Sequence, residues 1–68
     1  MTLEDYRLQL GWSVAELSRQ SGVSAQTIAR AERGGSVRTH IAATLARALG
    51  EHLGKTITYR DFDGLVVV

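Results

Sequence analysis

Cysteine is absent from this 68-residue chain, which removes two common ways of stabilising a small protein. Without thiols there is neither a disulfide framework nor a thiolate metal site, so the fold depends on packing or on oligomerisation. A domain of this length buries only about 60% of the surface that its unfolded chain exposes. We therefore expect one small domain with a compact or shared core, suited to the reducing cytoplasm.

Long apolar runs are also absent. No stretch approaches the roughly 20 apolar residues that cross a bilayer. The first residues, MTLEDYRLQL, are acidic where a secretory signal would be basic. We expect a soluble, intracellular protein without a membrane partner.

The sequence lacks the residue groupings that support catalysis or cofactor binding. It contains no G-x-S-x-G elbow, phosphate-binding loop or dinucleotide fingerprint. His40 and His52 are twelve residues apart, far from the spacing of metal ligands. Asp61–Gly64 contains a fragment of a calcium loop, but the other ligands are missing and a turn explains it better. We predict neither an enzyme, nor a cofactor, nor a metal site.

The net charge of +1 is small, but it is unevenly distributed. Residues 17–50 contain five arginines and a single acid, Glu32, which gives this segment a charge of +4. A local excess of positive charge is typical of a surface that binds phosphate. The charge pattern therefore favours a nucleic acid as partner.

Two short helices hinged at Gly22 are predicted between Ser13 and Glu32, and the second lies entirely within this basic segment. Ser13 followed by Glu16 has the spacing of a capping box, which starts the first helix. Gly22 supplies the left-handed conformation that ends it, and Ser24 caps the second helix. Two helices joined by a short turn containing glycine are typical of a helix-turn-helix motif.

One face of the second helix carries residues suited to DNA. With Gln26 at zero, Arg30 falls at about 40° and Arg33 at about 340° around the helix, opposite an apolar face. Glutamine pairs with adenine and arginine with guanine or phosphate, so Gln26, Thr27 and Arg30 are predicted to read bases and Arg33 to contact phosphate. An ordinary solvated face would look similar. The capped turn at Gly22 favours the DNA interpretation.

Two further helices complete the predicted bundle. Thr2 and Asp5 can cap a first helix that ends at Gly11. After Gly34 and Gly35, the segment Ser36–Arg38 is predicted to be a loop. Thr39 can then cap a last helix that ends at Gly50.

The last fourteen residues show a different pattern. Thr56–Arg60 alternates in polarity and Leu65–Val68 contains three β-branched valines, with a turn signal at Asp63–Gly64 between the two segments. We predict two short strands. They can fold back over the core of their own chain or pair with another copy, and the pattern favours neither.

From Leu3 to Leu53 the chain resembles the Xre-type, lambda-repressor-like helix-turn-helix family, which includes the lambdoid phage repressors and Cro proteins. The resemblance needs no gaps, and its most specific part is the run GVSxxTIxxxERG at Gly22–Gly34. It also includes Arg7, Gly11, Ser13, Ala15–Leu17, Leu45–Ala46 and Ala48–Gly50.

The resemblance implies roles for individual residues. Arg7 and Glu32 match a partly buried ion pair that joins helix one to the end of the recognition helix. Base contacts are expected from Ala25, Gln26, Thr27 and Arg30, and contacts with the DNA backbone from Ser13, Ser24, Arg33, Ser36 and Arg38. Val14 departs from the pattern, because the family commonly has a phosphate-binding glutamine there. Beyond Leu53 the strand pattern replaces the family's fifth helix.

We therefore predict a mainly α, lambda-repressor-like bundle at residues 1–54 and a β extension at residues 55–68. The predicted function is sequence-specific regulation of transcription by a homodimeric repressor on a palindromic operator, since one unit makes few specific contacts. The extension is the predicted dimerisation element, through Ile57, Tyr59, Leu65, Val66, Val67 and Val68. One alternative is an antitoxin whose strands cover a toxin protein, and another is the DNA-binding fragment of a longer repressor.

Overall fold

The computed structural model describes residues 1–68 and is mainly α-helical, as the sequence predicts. It contains four α-helices: α1 (Leu3–Gln9), α2 (Val14–Ser21), α3 (Ala25–Glu32) and α4 (Thr39–Leu53). A short strand, β1 (Ser36–Val37), lies between α3 and α4. A 3-10 helix (Tyr59–Asp61) and a second strand, β2 (Val66–Val67), follow α4. None of the helices has the length and apolar composition needed to cross a membrane.

The start of α1 has the predicted capping box. The Thr2 hydroxyl accepts a hydrogen bond from the amide of Asp5 at 3.1 Å, and the Asp5 carboxylate accepts one from the amide of Thr2 at 2.9 Å. These two bonds satisfy amides that have no partner within the helix. The first helix therefore begins where the sequence places it.

Gly50 does not end α4, contrary to the prediction. It is buried inside the helix, which continues to Leu53 and ends at Gly54 with a φ of 71°. A Cβ atom at Gly50 would lie 2.6 Å from the carbonyl oxygen of Lys55 and 3.4 Å from the amide nitrogen of Ile57. Glycine is therefore needed at this position so that the returning chain can pack against the helix.

Of the two strands predicted between Thr56 and Val68, the first is wrong and the second is confirmed as β2 (Val66–Val67). Thr58 and Asp61 close a local turn instead, in which the Asp61 carboxylate accepts a hydrogen bond from the Thr58 amide at 2.9 Å. Because this bond favours a 3-10 turn, the alternating segment forms no strand.

β2 pairs with β1, the strand between α3 and α4. The pairing is parallel, with Ser36 opposite Val66 and Val37 opposite Val67, so part of the predicted loop is a strand. Parallel strands need a long connection, which α4 supplies. The prediction that Thr39 caps α4 is also wrong: Arg38 is the N-cap residue, and the Thr39 hydroxyl donates to the Val68 carbonyl at 3.4 Å.

All elements share one hydrophobic core. Its centre is formed by side chains that are completely buried: Leu17 of α2, Ile28 of α3, and Leu45 and Leu49 of α4. Ile57 and Phe62 of the carboxyl-terminal segment are buried in the same cluster. The ring of Phe62 packs edge-on against that of Tyr6, with centroids 5.5 Å apart. Residues 55–68 thus pack on the helices and help to bury them.

Candidate DNA-binding interface

The turn between α2 and α3 is closed by bonds between near neighbours. Gly22 has a φ of 78°, and its amide donates to the Ser18 carbonyl at 2.9 Å. The Ser21 hydroxyl donates to the Leu17 carbonyl at 2.7 Å and accepts from the Val23 amide at 3.2 Å. The predicted hinge at Gly22 is confirmed, and it needs no distant partner.

The start of α2 has only half of the predicted capping box. The Ser13 hydroxyl accepts a hydrogen bond from the Glu16 amide at 3.0 Å. The Glu16 carboxylate does not return this bond, because it accepts from the Gln20 side chain at 2.8 Å and contacts Arg19. The hydrogen bond from Gln20, and then that from Arg19, lower the pKa of Glu16 below its usual value. Ser13 is exposed at this helix end.

Ser24 fixes the start of α3. Its hydroxyl accepts a hydrogen bond from the Thr27 amide at 3.2 Å and lies 2.8 Å from the Thr27 hydroxyl. Ile28 is buried on one face of the helix, while Gln26 and Arg30 are exposed on the other. The cap and the buried face together present the polar face of α3 to solvent.

The end of α3 is a Schellman turn. The Gly34 amide donates to the Ala31 carbonyl at 3.1 Å, and the Gly35 amide donates to the Arg30 carbonyl at 2.8 Å. Gly34 has a φ of 89°, which a side chain would disfavour. The turn leads the chain directly into β1.

Arg30 and the residues after the turn line one shallow depression. Its other lining residues are Ser36, Val37, Arg38 and Val68. The Arg38 guanidinium and the Ser36 hydroxyl on this surface are suited to the DNA backbone, and Arg30 lies beside them. Gln26 and Thr27, nearer to the start of α3, do not line this depression.

A partly buried ion pair joins α1 to the last residue of α3. Arg7 donates to Glu32 through Nε at 2.8 Å and Nη2 at 3.0 Å, and through Nη1 to the Trp12 carbonyl at 2.8 Å. Both charged side chains are only 10% exposed. The hydrogen bonds with Glu32 raise the pKa of Arg7 above its usual value. The contact implied by the family resemblance is therefore present.

The structure places the predicted DNA contacts at or near the surface. Thr27 is half-buried, whereas the others are exposed: Ser13, Ser24, Ala25, Gln26, Arg30, Arg33, Ser36 and Arg38. Sequence reasoning missed the Trp12 carbonyl as a partner of Arg7. A backbone acceptor leaves no trace in residue type, so no local signal would have found it.

The family model described as Helix-turn-helix (HTH_3) matches residues 3–59. No curated protein and no solved structure matches the chain. The matched range contains all four helices, the capped turn at Gly22 and the ion pair between Arg7 and Glu32. The chain therefore belongs to the Xre, lambda-repressor-like helix-turn-helix family of DNA-binding transcription regulators.

Proposed function

We propose that the protein is a sequence-specific repressor that acts in the cytoplasm and binds a palindromic operator as a homodimer. The observation that carries this proposal is the exposed polar face of α3, which is oriented by a cap at Ser24 and by the ion pair at Glu32. A helix presented in this way can enter the major groove. Repression is proposed because the chain resembles the lambdoid phage repressors and Cro proteins.

Base reading is assigned to the first turns of α3. Gln26 can pair with both hydrogen-bonding atoms of an adenine edge, and Arg30 with those of guanine. Ala25 and Thr27 lie beside them and can contact a thymine methyl group. Because these side chains are on the first two turns of the helix, they are well placed to approach base edges.

Backbone contacts are assigned to residues around both ends of α3. Ser13 and Ser24 stand at the amino-terminal ends of α2 and α3, where free amides and helix dipoles favour a phosphate. Arg33, Ser36 and Arg38 follow the helix and are exposed. These contacts would fix the register of the protein on the duplex without reading sequence.

The dimer is assigned to the outer side of the carboxyl-terminal segment. β2 has β1 as its only neighbouring strand, and Val66 and Val68 are 46% and 72% exposed. Tyr59, Leu65 and Val67 are half-buried, so they retain some surface for contact, whereas Ile57 is buried in the core. Exposed valines on an open strand edge favour pairing with a second copy around a two-fold axis.

Selection of bound duplexes from a random library tests the function, followed by a reporter gene that carries the selected site in its promoter. We expect two inverted half-sites about one helical turn apart and lower reporter expression with the protein present. Selected sites without a consensus would contradict sequence-specific binding. Higher expression would contradict repression. A single, non-repeated half-site would contradict the dimer.

Deletion of Leu65–Val68 tests the dimer directly. We expect the full chain to sediment as a dimer at micromolar concentration and the shortened chain to lose dimer and operator affinity together, because two linked half-site contacts depend on the dimer. Circular dichroism controls for folding, since the deletion also removes β2. A full chain that sediments as a monomer would contradict the proposal. Equal dimerisation of the folded, shortened chain would contradict this interface.

A further inference from the structure

The adjacent glycines at the end of α3 are needed for different reasons. Gly34 has a φ of 89°, and a Cβ atom built on it would meet nothing within 4 Å. Gly35 lies outside the left-handed region, so its backbone conformation is open to other residues. Conformation therefore explains the glycine at position 34 but not the glycine at position 35.

Close approach of Arg30 explains Gly35. A Cβ atom at Gly35 would lie 2.4 Å from Cγ of Arg30 and 3.2 Å from its Cδ, and 2.9 Å from its carbonyl oxygen. The Gly35 amide donates to that same carbonyl at 2.8 Å, which holds the two residues together. The aliphatic stem of Arg30 thus runs across the bare Cα atom of Gly35.

We propose that Gly35 is a positioning residue for DNA recognition, because it sets the direction in which the Arg30 guanidinium leaves α3. This inference rests on the proposed function, in which Arg30 reads a base. A long side chain loses rotamer freedom when it binds, and a stem already confined before binding loses less. A methyl group on residue 35 would occupy the volume of the Arg30 Cγ atom and force the stem into another rotamer.

The test compares base preference in four variants: Gly35→Ala, Arg30→Ala, the double variant and Gly34→Ala. Binding is measured on the selected operator and on duplexes with each single base replaced, and the ratio of the two Kd values gives the preference. Arg30→Ala removes the Cγ and Cδ atoms that the new methyl group would displace, but it leaves the Arg30 carbonyl oxygen 2.9 Å from that methyl group. A fall in melting temperature that is common to both backgrounds therefore measures strain in the backbone, and only the base preference reports the position of the side chain. Gly34→Ala strains the same turn without touching Arg30 and serves as the matched control.

We expect Gly35→Ala to lower the preference at the Arg30 base position by about tenfold, the scale of one lost bidentate base contact. In the Arg30→Ala background it should cause no further loss of preference. Gly34→Ala should lower the melting temperature and keep the preference. Base preference separates positioning from a general effect on the fold, because a merely structural role would not change it at a single base.

Three results would overturn the proposal. Gly35→Ala could keep the preference that Arg30→Ala loses. Gly34→Ala could lose the preference as far as Gly35→Ala does, which would make strain in the turn the cause. In the unmodified protein, nuclear Overhauser effects between the Gly35 Hα protons and the Arg30 Hγ and Hδ protons could be absent. This last measurement needs no variant to fold.

The outcome of Arg30→Ala alone separates this proposal from the proposed function. If that variant weakens binding to all duplexes alike, Arg30 contacts the backbone and its assignment as a base reader fails. Positioning by Gly35 is then supported if Gly35→Ala weakens binding to all duplexes alike but causes no further loss of affinity in the Arg30→Ala background. It is overturned if the two losses add.

Discussion

The chain enters α3 through Gly22–Ser24 and leaves it through Gly34–Arg38. These two connections differ in how far apart in the sequence their bonded residues lie. At the entry, the bonds of Gly22, Ser21 and Ser24 all join residues at most four positions apart. At the exit, the pair between Arg7 and Glu32 spans 25 positions, and β1 pairs with a strand 30 positions away, at residue 66. Local bonds also end α3, because the Schellman turn joins Gly34 to Ala31 and Gly35 to Arg30. Local sequence therefore sets where the recognition helix starts and stops, whereas the assembled fold adds long-range contacts only on the exit side.

This difference matters for DNA binding because we assign phosphate contacts to both connections but base reading only to the side of the entry. The entry carries Ser24 and leads directly to Gln26, which we assign to base reading, whereas the exit carries Ser36 and Arg38, which we assign to phosphate. Damage far from the DNA, in α1 or at β2, should therefore disturb the phosphate contacts at the exit first.

The largest effect is expected from the long-range ion pair. Glu32→Ala removes both short hydrogen bonds between Arg7 and a carboxylate, in a site where the Arg7 side chain is only 10% exposed. The guanidinium keeps only the Trp12 carbonyl and a longer contact with Glu4. We expect the free energy of unfolding to fall by about 3–5 kcal/mol in urea denaturation. Glu4→Ala is the control, because Glu4 lies 3.6 Å from Arg7 with a side chain that is 57% exposed, and its loss should cost about 0–1 kcal/mol. Near-zero coupling in a double-mutant cycle of Arg7 and Glu32 would show two independent charges.

The next largest effects are expected on DNA affinity, from one contact at each end of α3. Gln26→Ala should weaken operator binding by about 1–3 kcal/mol and relax preference at one base position, because a base contact is lost. Arg38→Ala should weaken binding to all sequences alike, because a phosphate contact is lost. The slope of the logarithm of the binding constant against the logarithm of salt concentration should become shallower by about one. Titrations at several salt concentrations on operator and random duplexes measure both changes. Equal losses of operator and random binding in Gln26→Ala would refute its assignment to base reading.

A smaller effect is expected at the local entry. Ser24→Ala removes the acceptor for the Thr27 amide and should lower the free energy of unfolding by about 1 kcal/mol. Because Ser24 shares no partner with Arg7 or Glu32, its cost should add to that of Glu32→Ala within about 0.5 kcal/mol. Ser36→Ala is the control, since that exposed side chain makes no hydrogen bond within the chain and its loss should change stability by less than about 0.5 kcal/mol. Strong coupling between Ser24 and Glu32 would show that the two connections do not act separately.

The smallest effect concerns the local cap of α1 and depends on pH. The Thr2 amide, and then the Thr2 hydroxyl, lower the pKa of Asp5 below 3.8 in the folded chain. A lowered folded pKa contributes stability above the unfolded value, and that stability is lost as the pH falls through the folded value. Asp5→Asn keeps an oxygen acceptor, so the free energy of unfolding should change little at pH 7. Below about pH 4, stability should fall less steeply with decreasing pH than in the unmodified chain. The midpoints of urea denaturation between pH 2 and 7 measure this pH dependence. The same loss of stability below pH 4 in both proteins would contradict the prediction.

The elements predicted correctly are those with local causes. The caps at Thr2 and Ser24 and the left-handed Gly22 are each specified within a few residues, so the sequence was sufficient to place them. Gly50 was wrongly predicted to end α4. A glycine that is needed for close packing looks the same in the sequence as a glycine that ends a helix, and only the structure shows that Lys55 packs against Gly50. The strand predicted at Thr56–Arg60 was wrong because its alternating pattern did not reveal the local bond between Thr58 and Asp61. The partner of the second strand was left open because a β pattern does not identify it.

The candidate site divides in the same way. Helical periodicity was enough to place Gln26 and Arg30 on an exposed face. The partner of Arg7 came from the family resemblance, since nothing in composition or spacing connects residue 7 to residue 32. The packing of Arg30 on Gly35 has no signal in the sequence beyond two adjacent glycines.

The parallel pairing of β1 with β2 also has a kinetic consequence. It joins two residues on each side and closes a loop that contains all of α4, so few hydrogen bonds offset the entropy of closing that loop. Helices form from local contacts and need no such closure. The β1–β2 pair should therefore form last during folding and open first in the folded protein, with amides that exchange faster than those of α4. Before DNA binds, the segment that contains Ser36 and Arg38 would briefly adopt states in which the β1–β2 pair is broken. A bound DNA backbone would stabilise the state in which the pair is formed.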